Sequence, residues 1–209
     1  MARRLVDHYL IRDERVLEAM ASIPRHEFVP DALRSQAYRD NALPLSSGQT
    51  VSQPFIVARM TELLELSGNE RVLEIGAGSG YQTAVLCRLA GKIFAIERIR
   101  ELADKAEARL MSLGFENFVM KCGDGTLGWP EYGPYDAIIA AAGGPEIPQP
   151  LVEQLAAGGR LVVPVGPSQT EQTLIRIRRT ATGKKKEDHG RCAFVPLIGE
   201  HGWNQEKEA

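Results

Sequence analysis

From residue 71 onward, short apolar runs and amphipathic stretches follow one another in a regular order. Val72, Leu73 and Ile75 form a run typical of a parallel strand covered on both faces. Tyr81 to Leu89 then reads as a helix. Ile93-Phe94-Ala95-Ile96, ending at Glu97, is a second strand, and Glu101 to Leu113 is a helix stopped by Gly114. Phe118 to Met120 is a third strand and Tyr135 to Ala140 a fourth. Pro148 to Leu155 reads as a helix closed by Gly158-Gly159, before a fifth strand from Arg160 to Val165. Gln172 to Arg179 and Arg191 to Leu197 read as a closing antiparallel pair around a polar loop, Thr182 to Gly190. This alternation predicts an α/β fold: a doubly wound, mainly parallel seven-stranded sheet with helices on both faces.

Residues 1 to 53 lack that alternation. One or two amphipathic helices fit residues 1 to 24, with Asp13 placed to cap the second and Val16, Leu17, Met20 and Ile23 on its apolar face. Pro24 stops it; Arg25 to Pro30 is a turn, Asp31 to Ser35 a short helix, and Tyr38 to Leu45 extended and loop-like. The polar stretch Ser46 to Pro54 leads into a helix from Pro54 to Leu66, with proline at its first position and Ser52 or Gln53 as its cap. The expected organisation is a single domain over residues 1–209, with an N-terminal helical cap (1–53) on a core (54–209).

The densest chemical signal is Glu74-Ile75-Gly76-Ala77-Gly78-Ser79-Gly80. Gly76, Gly78 and Gly80 let the backbone turn sharply and approach a ligand, because no Cβ intervenes. Ser79 is a candidate N-cap for the helix that follows. The spacing is G-x-G-x-G rather than the dinucleotide-type G-x-G-x-x-G. Glu97 ends the second strand about 20 residues on, where a carboxylate hydrogen-bonds a ribose diol. Asp124-Gly125 falls on the same rim after the third strand. Asp124 there can accept from an adenine amino group or merely cap a turn, and Ser52 is either an N-cap or a hydroxyl facing an anion at a helix start.

Net charge is -2, which argues against a broad phosphate-binding face and so against a nucleic-acid partner. Lys184-Lys185-Lys186 is followed directly by Glu187-Asp188, which suits a solvated hairpin tip. The three cysteines, Cys87, Cys122 and Cys192, are scattered, as are the four histidines, so reduced thiols and no metal site are expected. The basic start, Met1-Ala2-Arg3-Arg4, leads into no signal-peptide core, and no apolar run reaches the length of a membrane span. These features predict a cytoplasmic protein without a membrane partner. The tail, Asn204 to Ala209, is polar and expected to fray.

E-x-G-x-G-x-G with an acidic end to the second strand resembles the cofactor site of Rossmann-like class I methyltransferases. The resemblance narrows to the protein-L-isoaspartate O-methyltransferase family, bacterial or archaeal type. Its residues here are Arg25 to Pro30, Tyr38 with Asp40-Asn41, Gly48 to Pro54, Val72 to Val85, Ile96 to Ile99, Gly123-Asp124-Gly125, Tyr135 to Ile138, Gly158 to Gly166 and Phe194 to Leu197. Gly48-Gln49-Thr50-Val51-Ser52-Gln53-Pro54 is the segment specific to that family; before it, Ser46-Ser47 stands where tyrosine-glycine is usual. The resemblance implies S-adenosyl-L-methionine as cofactor, S-adenosyl-L-homocysteine as product and no metal. It implies a methyl acceptor in the free α-carboxylate of isoaspartyl proteins and peptides; a monomer is the default expectation. It makes Ser52 the catalytic residue, and Gln49, Thr50, Val51, Ser52, Glu74, Gly76, Gly78, Gly80, Glu97, Asp124 and Gly125 the cofactor-binding set.

Overall fold

The computed structural model describes residues 1–204, so most of the tail expected to fray lies outside the described residues. The N-terminal segment forms α1 (Ala2–Asp7), α2 (Glu14–Ser22) and two 3-10 turns, Arg25–Phe28 and Asp31–Gln36. Asp13 caps α2: its Oδ1 accepts the Arg15 and Val16 N–H groups. A two-stranded hairpin then pairs β1 (Leu43–Pro44) with β2 (Thr50–Val51) in a stretch expected to be loop. Strands of two residues carry no period for the sequence to display. The hairpin leads through Ser52 and Gln53 into α3 (Pro54–Leu64).

The cap of α3 comes from elsewhere in the chain. Gln53 holds the cap position, but neither its side chain nor that of Ser52 makes the capping bond. Asp40 supplies it: Oδ1 accepts the Phe55 N–H at 3.0 Å and Oδ2 accepts the Gln53 Nε2–H at 3.0 Å. The N-terminal cap is thereby stitched to the helix that starts the core.

The core runs β3 (Arg71–Ile75), α4 (Tyr81–Leu89), β4 (Lys92–Glu97), α5 (Arg100–Ser112), β5 (Phe118–Cys122), β6 (Tyr135–Ala140), α6 (Gln149–Glu153), β7 (Leu155–Ser168), β8 (Glu171–Thr180) and β9 (Gly183–Cys192). The sheet order is β5-β4-β3-β6-β7-β8-β9. Its first five strands are parallel and its last two antiparallel. Val72 on one face packs with Val57, Ala84, Leu110 and the N-terminal helices, whereas Leu73 and Ile75 on the other pack with Trp129, Leu151 and Leu155. The chain therefore switches sides between β4 and β6, its two flanking neighbours around β3. Such a reversal opens a crevice beyond the carboxyl ends of the strands.

Three expectations are corrected in the second half. Gly158-Gly159 does not separate a helix from a strand; α6 stops at Glu153 and the glycines lie inside β7, where the register with β6 shifts between Tyr135 and Ala137. The supposed loop 182–190 is strand β9, joined to β8 by a tight turn with Thr180 opposite Gly183. Its sequence is almost wholly polar, so apolar alternation could not reveal it. Cross-strand charge holds it instead: Glu187 accepts from Arg176 of β8 at 2.5 Å and pairs Arg178 of the same strand at 3.5 Å. Lys184 to Lys186 thus lie on an edge strand, where lysines discourage pairing with another chain. Residues 193–197, expected to be strand, instead cross over the head of the sheet, bridging to Gly143.

Because α3 is capped at long range, Asp40→Ala should cost roughly 1–2 kcal/mol, while Asp40→Asn, which keeps an acceptor, should cost distinctly less. Paired denaturant melts measure both. Equal losses would show that the Phe55 N–H bond is not what Asp40 contributes.

Candidate active site

The glycine turn after β3 owes its shape to left-handed backbone at Gly76 (φ 81°), Gly78 (φ 56°) and Gly80 (φ 86°). Gly80, not Ser79, occupies the N-cap of α4; Ser79 Oγ accepts the Tyr81 N–H at 3.3 Å from one position further out. Neighbouring strands hold the turn. Ile96 O accepts the Gly76 N–H at 2.8 Å, and Glu97 Oε2 accepts the Gly78 N–H at 2.9 Å. The other oxygen, Oε1, accepts the Ile99 N–H at 2.9 Å. Glu97 is almost fully buried at the end of β4, so its charge is balanced by backbone donors.

A cavity of about 410 Å³ opens at this crevice. Four parts of the chain line it: Ser47 to Ser52 from the cap, Ile75 to Ser79 with Tyr81 and Gln82, Ile96 to Ile99, and Val195 to Ile198 from the C-terminal crossing. Val57, Gly125, Ala141, Ala142, Gln169 and Asn204 complete the wall. Gln49, Thr50, Val51, Ser52, Gly76, Gly78, Glu97 and Gly125 are therefore brought together as the sequence suggests. Gly125 sits directly over Ile75, whose Cγ2 an added Cβ would strike.

Three proposed residues stand back from that wall. Gly80 turns toward Ala106 and Leu110 of α5. Asp124 is a cap: Oδ1 accepts the Thr126 N–H at 2.8 Å and its hydroxyl at 2.7 Å, and Oδ2 accepts the Glu200 N–H at 2.8 Å. His201 N–H reaches Thr126 Oγ1 at 3.1 Å, so Asp124 and Thr126 together latch the C-terminal crossing. Its far side is fastened at Gly143, whose O accepts from Leu197 N–H and from Trp203 Nε1–H.

Glu74 lies beneath the turn on the α4 face, with both carboxylate oxygens buried and without hydrogen-bond partners. Burial pushes its pKa up to about 8, and the charge on Glu97 adds to the effect. That shift favours the protonated form at neutral pH, and Glu74 is not among the residues that line the cavity.

Sequence reasoning passed over Arg25, Asp40 and the crossing at 194–198 as functional elements. Arg25 is an isolated cation in a turn and Asp40 a carboxylate in a loop; each acquires meaning only from partners distant in sequence. Only the family resemblance touched all three. Cys87 and Cys192 are free and buried enough that their thiols are raised to about 12 and about 11. Among the described residues no cluster of His, Cys, Asp and Glu could hold a metal, and no helix is long and apolar enough to cross a membrane.

The sheet order, the glycine turn clasped by a strand-end carboxylate and the cavity at the switch point define a class I S-adenosylmethionine-dependent methyltransferase. The family model described as Protein-L-isoaspartate(D-aspartate) O-methyltransferase matches residues 1–202, and the chain belongs to that family. It is 52% identical over 208 residues to the protein-L-isoaspartate O-methyltransferase of Syntrophus aciditrophicus, covering 96% of this chain and 95% of that one. Identity to the Geobacter metallireducens protein of the same name is 51% over 210 residues, covering 98% and 97%. A solved protein-L-isoaspartate O-methyltransferase superposes with a TM-score of 0.85 at 30% identity, over 97% of this chain and 67% of that one. A Plasmodium falciparum protein solved with S-adenosyl-L-homocysteine shares the fold, with a TM-score of 0.79 at 24% identity over 94% of this chain and 97% of its own.

Glu74 makes stability depend on pH. The folded protein keeps its proton up to about pH 8, whereas the unfolded chain releases it near the ordinary 4.5. Stability contributed by this proton is therefore complete below about 4.5 and is lost as pH rises toward 8. Glu74→Gln removes the titration, so the variant should gain on the native protein by up to about 1.4 kcal/mol per pH unit across that window. Parallel stability curves for the two proteins from pH 5 to 8 would exclude a buried, neutral Glu74.

Proposed function

We propose that the chain transfers the methyl group of S-adenosyl-L-methionine to the free α-carboxylate of L-isoaspartyl residues in damaged proteins and peptides, giving a methyl ester and S-adenosyl-L-homocysteine. The observation that carries this reading is that Ser52 and the glycine turn with Glu97 face one cavity, although they belong to different parts of the fold. The residues fit such a cofactor. Gly76 and Gly78 expose turn backbone without a Cβ, and Glu97 is the acceptor for the ribose. Gly125 and Ile75, packed so closely that no Cβ fits between them, form the wall for the adenine ring, and Asp124 at the adjoining cap is the acceptor for its amino group.

When bound, the cofactor supplies a methyl group already activated on a sulfonium. The acceptor needs no base either, because a free α-carboxyl has a pKa of roughly 3.5 and is ionised at pH 7. The protein's work is to orient an oxygen and to shed its water. Ser52 does this with a neutral hydroxyl, helped by the backbone amides of the Thr50 to Gln53 turn. An ion pair there would hold the carboxylate more tightly and blunt it as a nucleophile. The C-terminal crossing, latched at Asp124 and Gly143, roofs the cavity against solvent. Monomeric action in the cytoplasm, with isoaspartyl proteins rather than nucleic acid or membrane as partners, completes the proposal.

The direct test is methyl transfer to two peptides that differ only in one isoaspartyl or aspartyl linkage. Label on the isoaspartyl peptide alone is the expected result; label on both, or on neither while cofactor still binds, would overturn the substrate assignment. Ser52→Ala should lower turnover by roughly ten- to hundredfold while leaving S-adenosyl-L-homocysteine affinity nearly unchanged. Undiminished turnover would remove Ser52 from the chemistry. Glu97→Ala should instead weaken that affinity by about 1–3 kcal/mol in calorimetry, and unchanged binding would sink the ribose role.

A further inference from the structure

Arg25 is fully buried, and among the described residues no carboxylate lies within ion-pair distance of it. Its Nε–H bonds to Ala37 O at 2.8 Å, and Nη2–H to Ser52 O at 2.7 Å. Its guanidinium carbon stands 4.5 Å from the centre of the Tyr81 ring, and its third nitrogen, Nη1, has no partner. Sealing a cation away from water without an opposite charge is costly, so the position calls for a gain elsewhere.

That gain lies in the Ser52–Gln53 peptide. The unit is trans, so its C=O and N–H point in opposite directions. With the carbonyl fixed on the guanidinium, the Gln53 N–H is turned away from Arg25, and among the described residues it meets no acceptor. Ser52 lines the cavity, and among the described residues its hydroxyl makes no hydrogen bond. Asp40 holds the following turn of chain through Phe55 N–H and the Gln53 side chain, so this peptide cannot rotate freely. A hydrogen bond to a cation also polarises the peptide group and strengthens its N–H as a donor.

We propose that Arg25 is a positioning residue for the anionic acceptor: it fixes and polarises the Ser52–Gln53 peptide so that the Gln53 N–H, together with the Ser52 hydroxyl, receives the isoaspartyl carboxylate. The charge is delivered through a peptide rather than by direct contact. The carboxylate is thereby selected as an anion without being neutralised by an ion pair. This inference rests on the proposed function, since it presumes that the acceptor carboxylate docks at Ser52.

The test compares binding of an isoaspartyl peptide with that of the same peptide bearing an α-carboxamide, by calorimetry on protein saturated with S-adenosyl-L-homocysteine. The native protein should prefer the carboxylate by roughly tenfold or more, and Arg25→Met should reduce that preference to less than about threefold. Cofactor-product affinity should stay nearly constant. A merely structural role would weaken both peptides alike and leave the ratio intact, and an intact ratio overturns the proposal. Absence of any preference in the native protein would instead overturn the functional reading on which it rests. Should Arg25→Met fail to fold, the native protein decides by amide NMR. The Gln53 amide proton should move downfield with the carboxylate peptide and not with the carboxamide, and saturation by the carboxylate peptide without that shift overturns the proposal.

Discussion

The Glu97 carboxylate is the interaction on which the head of the sheet depends. It collects the Gly78 N–H from the turn after β3 and the Ile99 N–H from the turn after its own strand. Two loops that would otherwise fray into solvent are tied at one buried point. Left-handed glycines make the first of these turns sterically accessible, but freedom to adopt a turn is not the same as holding it, and glycine raises the entropy lost on fixing it. The carboxylate offsets that loss, and the residue also lines the cavity. The same side chain can therefore shape the site and bind in it.

Nothing in the parallel core supplies Ser52. That residue arrives on a separate hairpin, and two interactions spanning the N-terminal cap decide where it stands: Arg25 on its carbonyl and Asp40 on the helix that follows. A site assembled in this way is sensitive to the cap as a whole. Ser47 illustrates the tension. It takes a positive φ of 59° beside Gly48, a conformation that disfavours a side chain and suits the glycine usual at that place. The strain sits one short turn away from Gln49 to Ser52, in backbone that must be precise.

Much of the core could be read from the chain because parallel strands buried on both faces appear as unbroken apolar runs between turn signals. β3, α4 and β6 fall on their expected residues for that reason. β9 could not be read, since its pairing is carried by charge opposite charge across an edge strand, a pattern indistinguishable from solvated loop until a partner is known. The glycines at 158–159 misled for a related reason: glycine marks irregularity, but helix stop and strand irregularity look alike in sequence. At the cavity, Glu97 and the glycine turn could be placed together because strand-end and turn signals are local, whereas Ser52 was singled out only through the segment Gly48 to Pro54 that carries the family resemblance. Arg25 and Asp40 were not legible, because their partners lie at Ser52 and Phe55, across loops whose course no periodicity reports.

Asp124 joins these two kinds of information. As a local signal it was ambiguous between a turn cap and a contact for adenine, and the fold makes it a cap that also holds Glu200 N–H. The two roles are compatible, since a carboxylate offers about four acceptor directions and the present bonds occupy three. A donor from a bound purine would share Oδ1 or Oδ2 with the latch of the C-terminal crossing. Charge withdrawn toward one donor weakens the hold on the others, whereas fixing the carboxylate's orientation favours all of them. Thr126 already orients the carboxylate through two bonds to Oδ1, and Glu200 N–H takes one direction of Oδ2, so the acceptor direction left open is on Oδ2 and the latch of the crossing holds the rotamer that presents it.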